Sequence, residues 1–347
     1  MDEPRLSNED TGRNGRNASV SPMSHEKVRA SSGATPYEVV YTERPMRVRR
    51  YGERVSTDRP PVVLVYALFN RPEILDLTPD RSVVRAFLDR GRTVYLIDWG
   101  RPTRLDGSLG MDDYVDRMLH NAIRQVVVDS GHDDPHLIGY STGGTLAALY
   151  ASLRPEMIGS LSVVASPISF SASGGLFDLI DGSSLPRRLL DDTNVLPGDV
   201  LSVGFSTVDP PEFFIGRFLR MFDIGTDWRD TRARGTRLDW SRDSVDVPAT
   251  VMEDIVEIFQ TDGLLDGSFR LNGSAVDLTA IDRPVLAVVA ERDRFVPRRS
   301  TLALLDVVSS RHTEVIRCST DHLGLASEAV AFERVWPDIA GWIAAFD

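Results

Sequence analysis

From Tyr41 onward, short β-branched runs alternate with stretches whose apolar residues return every three or four positions. Residues 61–66 (PVVLVY), 93–98 (TVYLID), 135–139 (PHLIG), 161–165 (LSVVA), 284–290 (PVLAVVA) and 313–318 (TEVIRC) have the near-continuous apolar character of strands covered on both faces. Between them, residues 81–90, 112–128, 145–153 and 300–308 carry the helical spacing. Strand, helix, strand repetition predicts an α/β fold with a mostly parallel, doubly wound sheet.

The rhythm fails over about 168–277, where Gly, Pro, aromatic and charged residues mix without a convincing buried strand. This segment reads as a lid or cap insertion, with helical pieces at 211–221 (PEFFIGRFLRM) and 249–260 placed over the strand ends, where α/β sheets bind ligands. Residues 1–35 are rich in Ser, Asn, Gly, Arg and Asp and show almost no apolar periodicity, which predicts a disordered tail. The expected organisation is that tail followed by one domain over 36–347 that contains the insertion. Met23 offers a second candidate start.

Composition narrows the class. A chain of 347 residues with 42% hydrophobic and 26% charged residues can bury a large core, as globular proteins do. The formal charge of -12 opposes nucleic-acid binding, which needs a basic face to displace counterions from phosphates. Lys27 is the only lysine, so the positive charge is almost all arginine. The single cysteine, Cys318, excludes an intrachain disulfide and a multi-cysteine metal site, and no metal is expected. There is neither a signal-peptide pattern nor an apolar run near the length of a membrane span, so the expected location is cytoplasmic.

The chemistry concentrates at Gly139, Tyr140, Ser141, Thr142 and Gly143 (GYSTG), directly after an expected strand and before an expected helix. That context is a nucleophile elbow: small residues permit the sharp turn, and Gly144 lets the following helix pack closely. The bland reading is a strand-to-helix turn in which Ser141 merely caps the helix. The rest of the chain favours catalysis, because Asp293 follows one late strand (AERDRFVP) and His322 follows the last (STDHLG), the chain order of the α/β-hydrolase fold. His322 would take the Ser141 proton while Asp293 holds its tautomer. Asp321 is a weaker alternative acid, and Cys318, at a strand end with no elbow, reads as a small buried hydrophobe. The backbone N–H groups of Thr142 and of Phe69, in the loop after residues 61–66, are the candidate oxyanion donors. Asn70 is either a substrate-binding side chain or a turn asparagine. The remaining histidines read as structural.

Residues 65–104 (VYALFNRPEILDLTPDRSVVRAFLDRGRTVYLIDWGRPTR), 111–119 (MDDYVDRML) and 137–156 (LIGYSTGGTLAALYASLRPE) resemble the catalytic subunit of class III polyhydroxyalkanoate synthases. A weaker likeness continues through LPGDVLSVGF, FLRMF and DGSFRLNGSAVDLTAIDRPVLAVVAERDRFVP to DHLG and WPDIAGWIAAF. The resemblance implies an acyltransferase that moves (R)-3-hydroxyacyl groups from coenzyme A thioesters, its substrates rather than cofactors, onto a growing polyester. It also implies an intracellular granule surface, a separate non-catalytic synthase subunit and self-association. By position it carries over Ser141 as nucleophile, Asp293 as acid and His322 as base, with Asp76 and Trp99 structural.

The chain departs from the family at the elbow, where the family has cysteine and this chain has Ser141. A thioester intermediate makes transfer to a hydroxyl downhill, whereas an oxygen ester gains little from it, so water competes better. Three readings therefore stand: a synthase-type acyltransferase; a serine hydrolase acting as depolymerase, esterase or acyl-coenzyme A thioesterase; and a silent subunit that binds granules or a synthase.

Overall fold

The computed structural model describes residues 27–28, 35–52, 58–171, 194–208 and 244–347. Its main sheet contains β1 (Tyr37–Glu43), β2 (Met46–Tyr51), β3 (Val62–Val65), β4 (Val94–Asp98), β5 (His136–Tyr140), β6 (Ser160–Val164), β7 (Val285–Ala290) and β8 (Thr313–Cys318). Their order is β1-β2-β4-β3-β5-β6-β7-β8, and Lys27–Val28 adds a short antiparallel strand outside β1. The pairings β4–β3, β3–β5, β5–β6, β6–β7 and β7–β8 are parallel, while β1–β2 and β2–β4 are antiparallel. The six strands expected from the apolar runs are therefore the six that form the parallel part.

The helices are α1 (Val83–Leu88), α2 (His120–Ser130), α3 (Thr142–Leu153), α4 (Gly198–Val208), α5 (Ala249–Thr261), α6 (Arg298–Val307) and α7 (Trp336–Ile343). A widely wound helical segment, Asp113–Leu119, leads into α2. Successive side chains of a strand point to opposite faces, and here both faces are buried. Val63 and Val65 of β3 share a core with α2, α3 and α5, whereas Val62 and Leu64 join α1 and α7 in a second core. A strand so enclosed has no solvent face, which is why its residues are apolar without alternation.

Two of the helices begin elsewhere than expected for reasons that are local. The helix expected from residue 81 starts at Val83 because Arg81–Ser82 pair with Asp76–Thr78, and the Ser82 hydroxyl accepts the Arg85 N–H at 2.9 Å as an N-cap. The helix expected from residue 145 starts at Thr142, immediately after Ser141. Asp76 is buried and accepts hydrogen bonds from Thr35 and Ser82, and Trp99 Nε1 donates to the Tyr66 carbonyl at 2.8 Å, so both hold the fold together.

The long insertion separates β6 from β7. The helix expected at 249–260 is α5, whose Val251, Met252, Ile255 and Ile258 belong to the same core as α3. Val195–Leu196 pair with Val247–Pro248 and close the base of this segment. The helix expected over 211–221, and most of the segment expected as a tail, lie outside the described residues.

Candidate functional site

β5 ends at Tyr140 and α3 begins at Thr142, leaving one residue for the reversal. That residue, Ser141, has φ 54° and ψ −132°, a conformation that costs an L-residue about 1–3 kcal/mol and persists only where its surroundings enforce it. The enforcing contacts are close. A Cβ on Gly139 would lie 2.3 Å from Gly144 Cα, and one on Gly144 would lie 1.8 Å from Ser166 Oγ, so the start of α3 can sit against β5 and β6 only with glycine at both places. The Ser141 N–H donates to the Val164 carbonyl of β6 at 2.9 Å. Its side chain makes no capping hydrogen bond to α3, which removes the reading of Ser141 as a helix cap.

The hydroxyl turns instead to His322. Ser141 Oγ lies 3.1 Å from His322 Nε2, and His322 Nδ1 lies 2.7 Å from Asp293 Oδ2. Asp293 is itself held, since its Oδ1 accepts the N–H groups of Phe295 and Val296, each at 2.8 Å. The Asp293 and His322 side chains are 2% and 8% exposed, so the hydrogen bond between them lies almost outside solvent, while Ser141 is half-buried. A carboxylate facing Nδ1 leaves Nε2 as the basic nitrogen, directed at the hydroxyl. Hydroxyl, imidazole and carboxylate in this order can move a proton off Oγ as the oxygen attacks an acyl carbon.

Two neighbours of His322 were not legible in the sequence. Tyr140 donates its hydroxyl to the His322 carbonyl at 2.5 Å and sets its ring edge against the imidazole, with centroids 5.9 Å apart. The Phe295 ring lies 5.5 Å from the same imidazole. Each sits within two positions of a predicted site residue in the chain, yet the contact crosses from one strand end to another, and no local pattern encodes it.

Thr142 opens α3, whose first N–H groups have no intrahelical acceptor. The loop after β3 is tied to this turn by the Leu68 N–H, which donates to Thr142 Oγ1 at 3.4 Å, and to the insertion by the Val245 N–H, which donates to the Phe69 carbonyl at 3.4 Å. Asn70 bridges to Ser244, and its buried Oδ1 has no partner among the described residues. Phe69 and Asn70 thus stand where the insertion docks on the loop facing the elbow. Asp321 accepts the Gly324 N–H at 2.7 Å as a turn residue, while Asp293 holds the imidazole. Cys318 is buried, and burial raises its thiol pKa, which disfavours the thiolate a nucleophile needs. Among the described residues no group of three His, Cys, Asp or Glu side chains could hold a metal ion, and no helix is long and apolar enough to cross a membrane.

Residues 71–335 match the Alpha/beta hydrolase family. The Poly(3-hydroxyalkanoate) polymerase subunit PhaC of Haloferax mediterranei is 35% identical over 333 residues, which cover 95% of this chain and 68% of that protein. The subunit of the same name from Allochromatium vinosum is 30% identical over 317 residues, covering 90% and 89% respectively. Among solved structures, the Paleococcus ferrophilus monoacylglycerol lipase superposes with a TM-score of 0.56 at 15% identity, covering 87% of this chain and 99% of that one, a likeness of fold alone. The chain belongs to the α/β-hydrolase family and, within it, to the PhaC subunits of poly(3-hydroxyalkanoate) polymerases. Polymerases of this kind are acyltransferases, so the chain is a member of an acyltransferase family.

Proposed function

We propose that the chain transfers (R)-3-hydroxyacyl groups from coenzyme A thioesters to the hydroxyl end of a growing polyester, with Ser141 as nucleophile, His322 as base and Asp293 as its orienting acid. The observation that carries this reading is the relay Ser141 Oγ, His322 Nε2, His322 Nδ1, Asp293 Oδ2, at 3.1 and 2.7 Å, in a chain of the PhaC family. Ser141 Oγ attacks the thioester carbonyl and its proton passes to His322 Nε2. The tetrahedral oxyanion is held by the N–H groups of Thr142 and Phe69. Collapse expels coenzyme A as a thiol that takes the proton from His322, leaving an oxygen ester on Ser141. The chain-end hydroxyl then gives its proton to His322 and attacks the ester carbonyl, and on collapse His322 returns that proton to the departing Ser141 Oγ, so that the polymer grows by one unit. Asn70, in the loop facing the elbow, would orient the thioester with its buried side-chain amide. We assign the site to a granule surface, with a non-catalytic subunit as partner.

Ser141 itself favours a second reading. An oxygen ester on serine is driven to water more decisively than to another hydroxyl, because ester-to-ester exchange is nearly level in free energy while hydrolysis is downhill. In the hydrolase reading, water takes the place of the chain end. Purified protein given 3-hydroxybutyryl-coenzyme A decides between them when thiol release and polymer are followed together. Polymer in step with thiol supports synthesis, and free acid with no polymer overturns it. Ser141→Cys is expected to raise the ratio of polymer to free acid. Labelling by a fluorophosphonate that vanishes in Ser141→Ala separates either enzyme from a silent binding subunit.

A further inference from the structure

An apolar pocket of about 310 Å³, counting the open space at its mouth, lies beside the elbow under the insertion. Leu68 and Thr142 line it on the elbow side, Thr145 extends it along α3, and Phe170, Ile255 and Phe259 line it from the insertion. The threonine hydroxyls are engaged elsewhere: Thr145 Oγ1 donates to the Pro167 carbonyl at 2.6 Å, and Thr142 Oγ1 accepts the Leu68 N–H. What remains on the walls is hydrocarbon. The insertion side is held in place, because Asp262, just beyond the end of α5, accepts the Phe170 N–H at 2.7 Å, and the Phe170 and Phe259 rings stand 4.2 Å apart.

We infer that this pocket binds the alkyl substituent of the acyl group attached to Ser141 and sets which acyl lengths the protein accepts; the inference rests on the acyl-enzyme reading above. The tetrahedral adduct has four substituents, and three have assigned directions. One is Oγ of Ser141. The oxyanion faces the Thr142 N–H and the loop after β3, and the leaving group lies where His322 Nε2 can protonate it. Thr142 and Leu68 line the pocket while His322, Asp293 and Phe295 do not, so it lies next to the elbow and away from the leaving-group side. The fourth substituent, the acyl carbon chain, therefore points toward it. For a 3-hydroxyacyl group the polar hydroxyl and the polyester continuing from it are excluded from walls that offer no partner, so the hydrocarbon branch at the third carbon enters.

The test uses p-nitrophenyl acetate, butyrate, hexanoate and octanoate, which acylate Ser141 without requiring polymer formation. Each methylene that a pocket newly buries is worth about fourfold in kcat/KM. Phe259→Ala, at a half-buried position of α5, is expected to raise the octanoate-to-butyrate ratio of kcat/KM about tenfold or more. Ile255→Trp fills the same space and is expected to lower that ratio by a similar factor, and thermal unfolding checks that both variants are folded. Opposite shifts in the two variants support the pocket. Acylation of Ser141 with a length profile that neither variant moves overturns it and leaves the acyl-enzyme standing. If no ester acylates Ser141 in the unaltered chain, the acyl-enzyme reading falls and the pocket assignment falls with it.

Discussion

Asp293 uses both of its carboxylate oxygens, one on His322 Nδ1 and the other on two backbone N–H groups. Asparagine at this position keeps the shape but presents either an amide N–H to Nδ1 or an N–H to donors that need an acceptor. The imidazole would then turn the wrong tautomer to Ser141, and Asp293→Asn is expected to lower kcat about 10⁴-fold with the fold intact, measured by p-nitrophenyl butyrate turnover beside thermal unfolding. Tyr140→Phe removes only the hydrogen bond to the His322 carbonyl, so a loss of about tenfold in kcat is expected from the same assay, in line with one lost buried hydrogen bond. The three principal residues were legible because Ser141, Asp293 and His322 each follow an apolar run at a strand end, and strand ends on one edge of a parallel sheet converge. Tyr140 and Phe295 were not, since nothing in their local sequence states which imidazole they will meet.

At the scale of elements, the same close approach that strains Ser141 makes a prediction about β5 and α3. A methyl group on Gly139 meets backbone, the Gly144 Cα at 2.3 Å, and backbone cannot rotate away as a side-chain tip can. Gly139→Ala is expected to destabilise the protein by about 3 kcal/mol, read from the denaturant midpoint, and to lower acylation as the start of α3 is pushed off the strand. Legibility among the strands follows burial. The interior runs announce themselves because both faces are covered, whereas β2 (MRVRRY) reads as polar although most of it is buried. Its Arg49 is neutralised by Asp98 at 2.6 Å and Glu73 at 2.9 Å, and its Arg50 by Asp129 at 2.7 Å and by Glu38. The ion-pair partners come from 24, 49 and 79 positions further along and 12 back, so charge in the antiparallel part of the sheet hides a strand from any reading of a local window.

Across the whole molecule, the far end of β5 carries a charge-sensitive contact that is remote from Ser141 in the strand. His136 is fully buried, with Nδ1 2.9 Å from Ser160 Oγ and Nε2 3.2 Å from an Asp347 carboxylate oxygen. Arg92 donates to the same carboxylate at 2.7 Å. Burial first, and then the Arg92 charge, push the His136 pKa down to about 4, against the opposing pull of Asp347 and Asp134. In the unfolded chain this imidazole titrates near its ordinary value of about 6.5. Between these values the unfolded state binds a proton that the folded state refuses, so the contribution is complete above about pH 6.5 and is lost as pH falls toward 4. The difference amounts to about 3 kcal/mol over the full window and about 2 kcal/mol by pH 5. Denaturant unfolding at pH 7.5 and pH 5 is expected to show that loss in the unaltered chain and a smaller one in His136→Gln, which keeps the polar contacts without the titrating ring. Equal losses in the two proteins would assign the acid sensitivity to the carboxylates of the antiparallel part of the sheet instead.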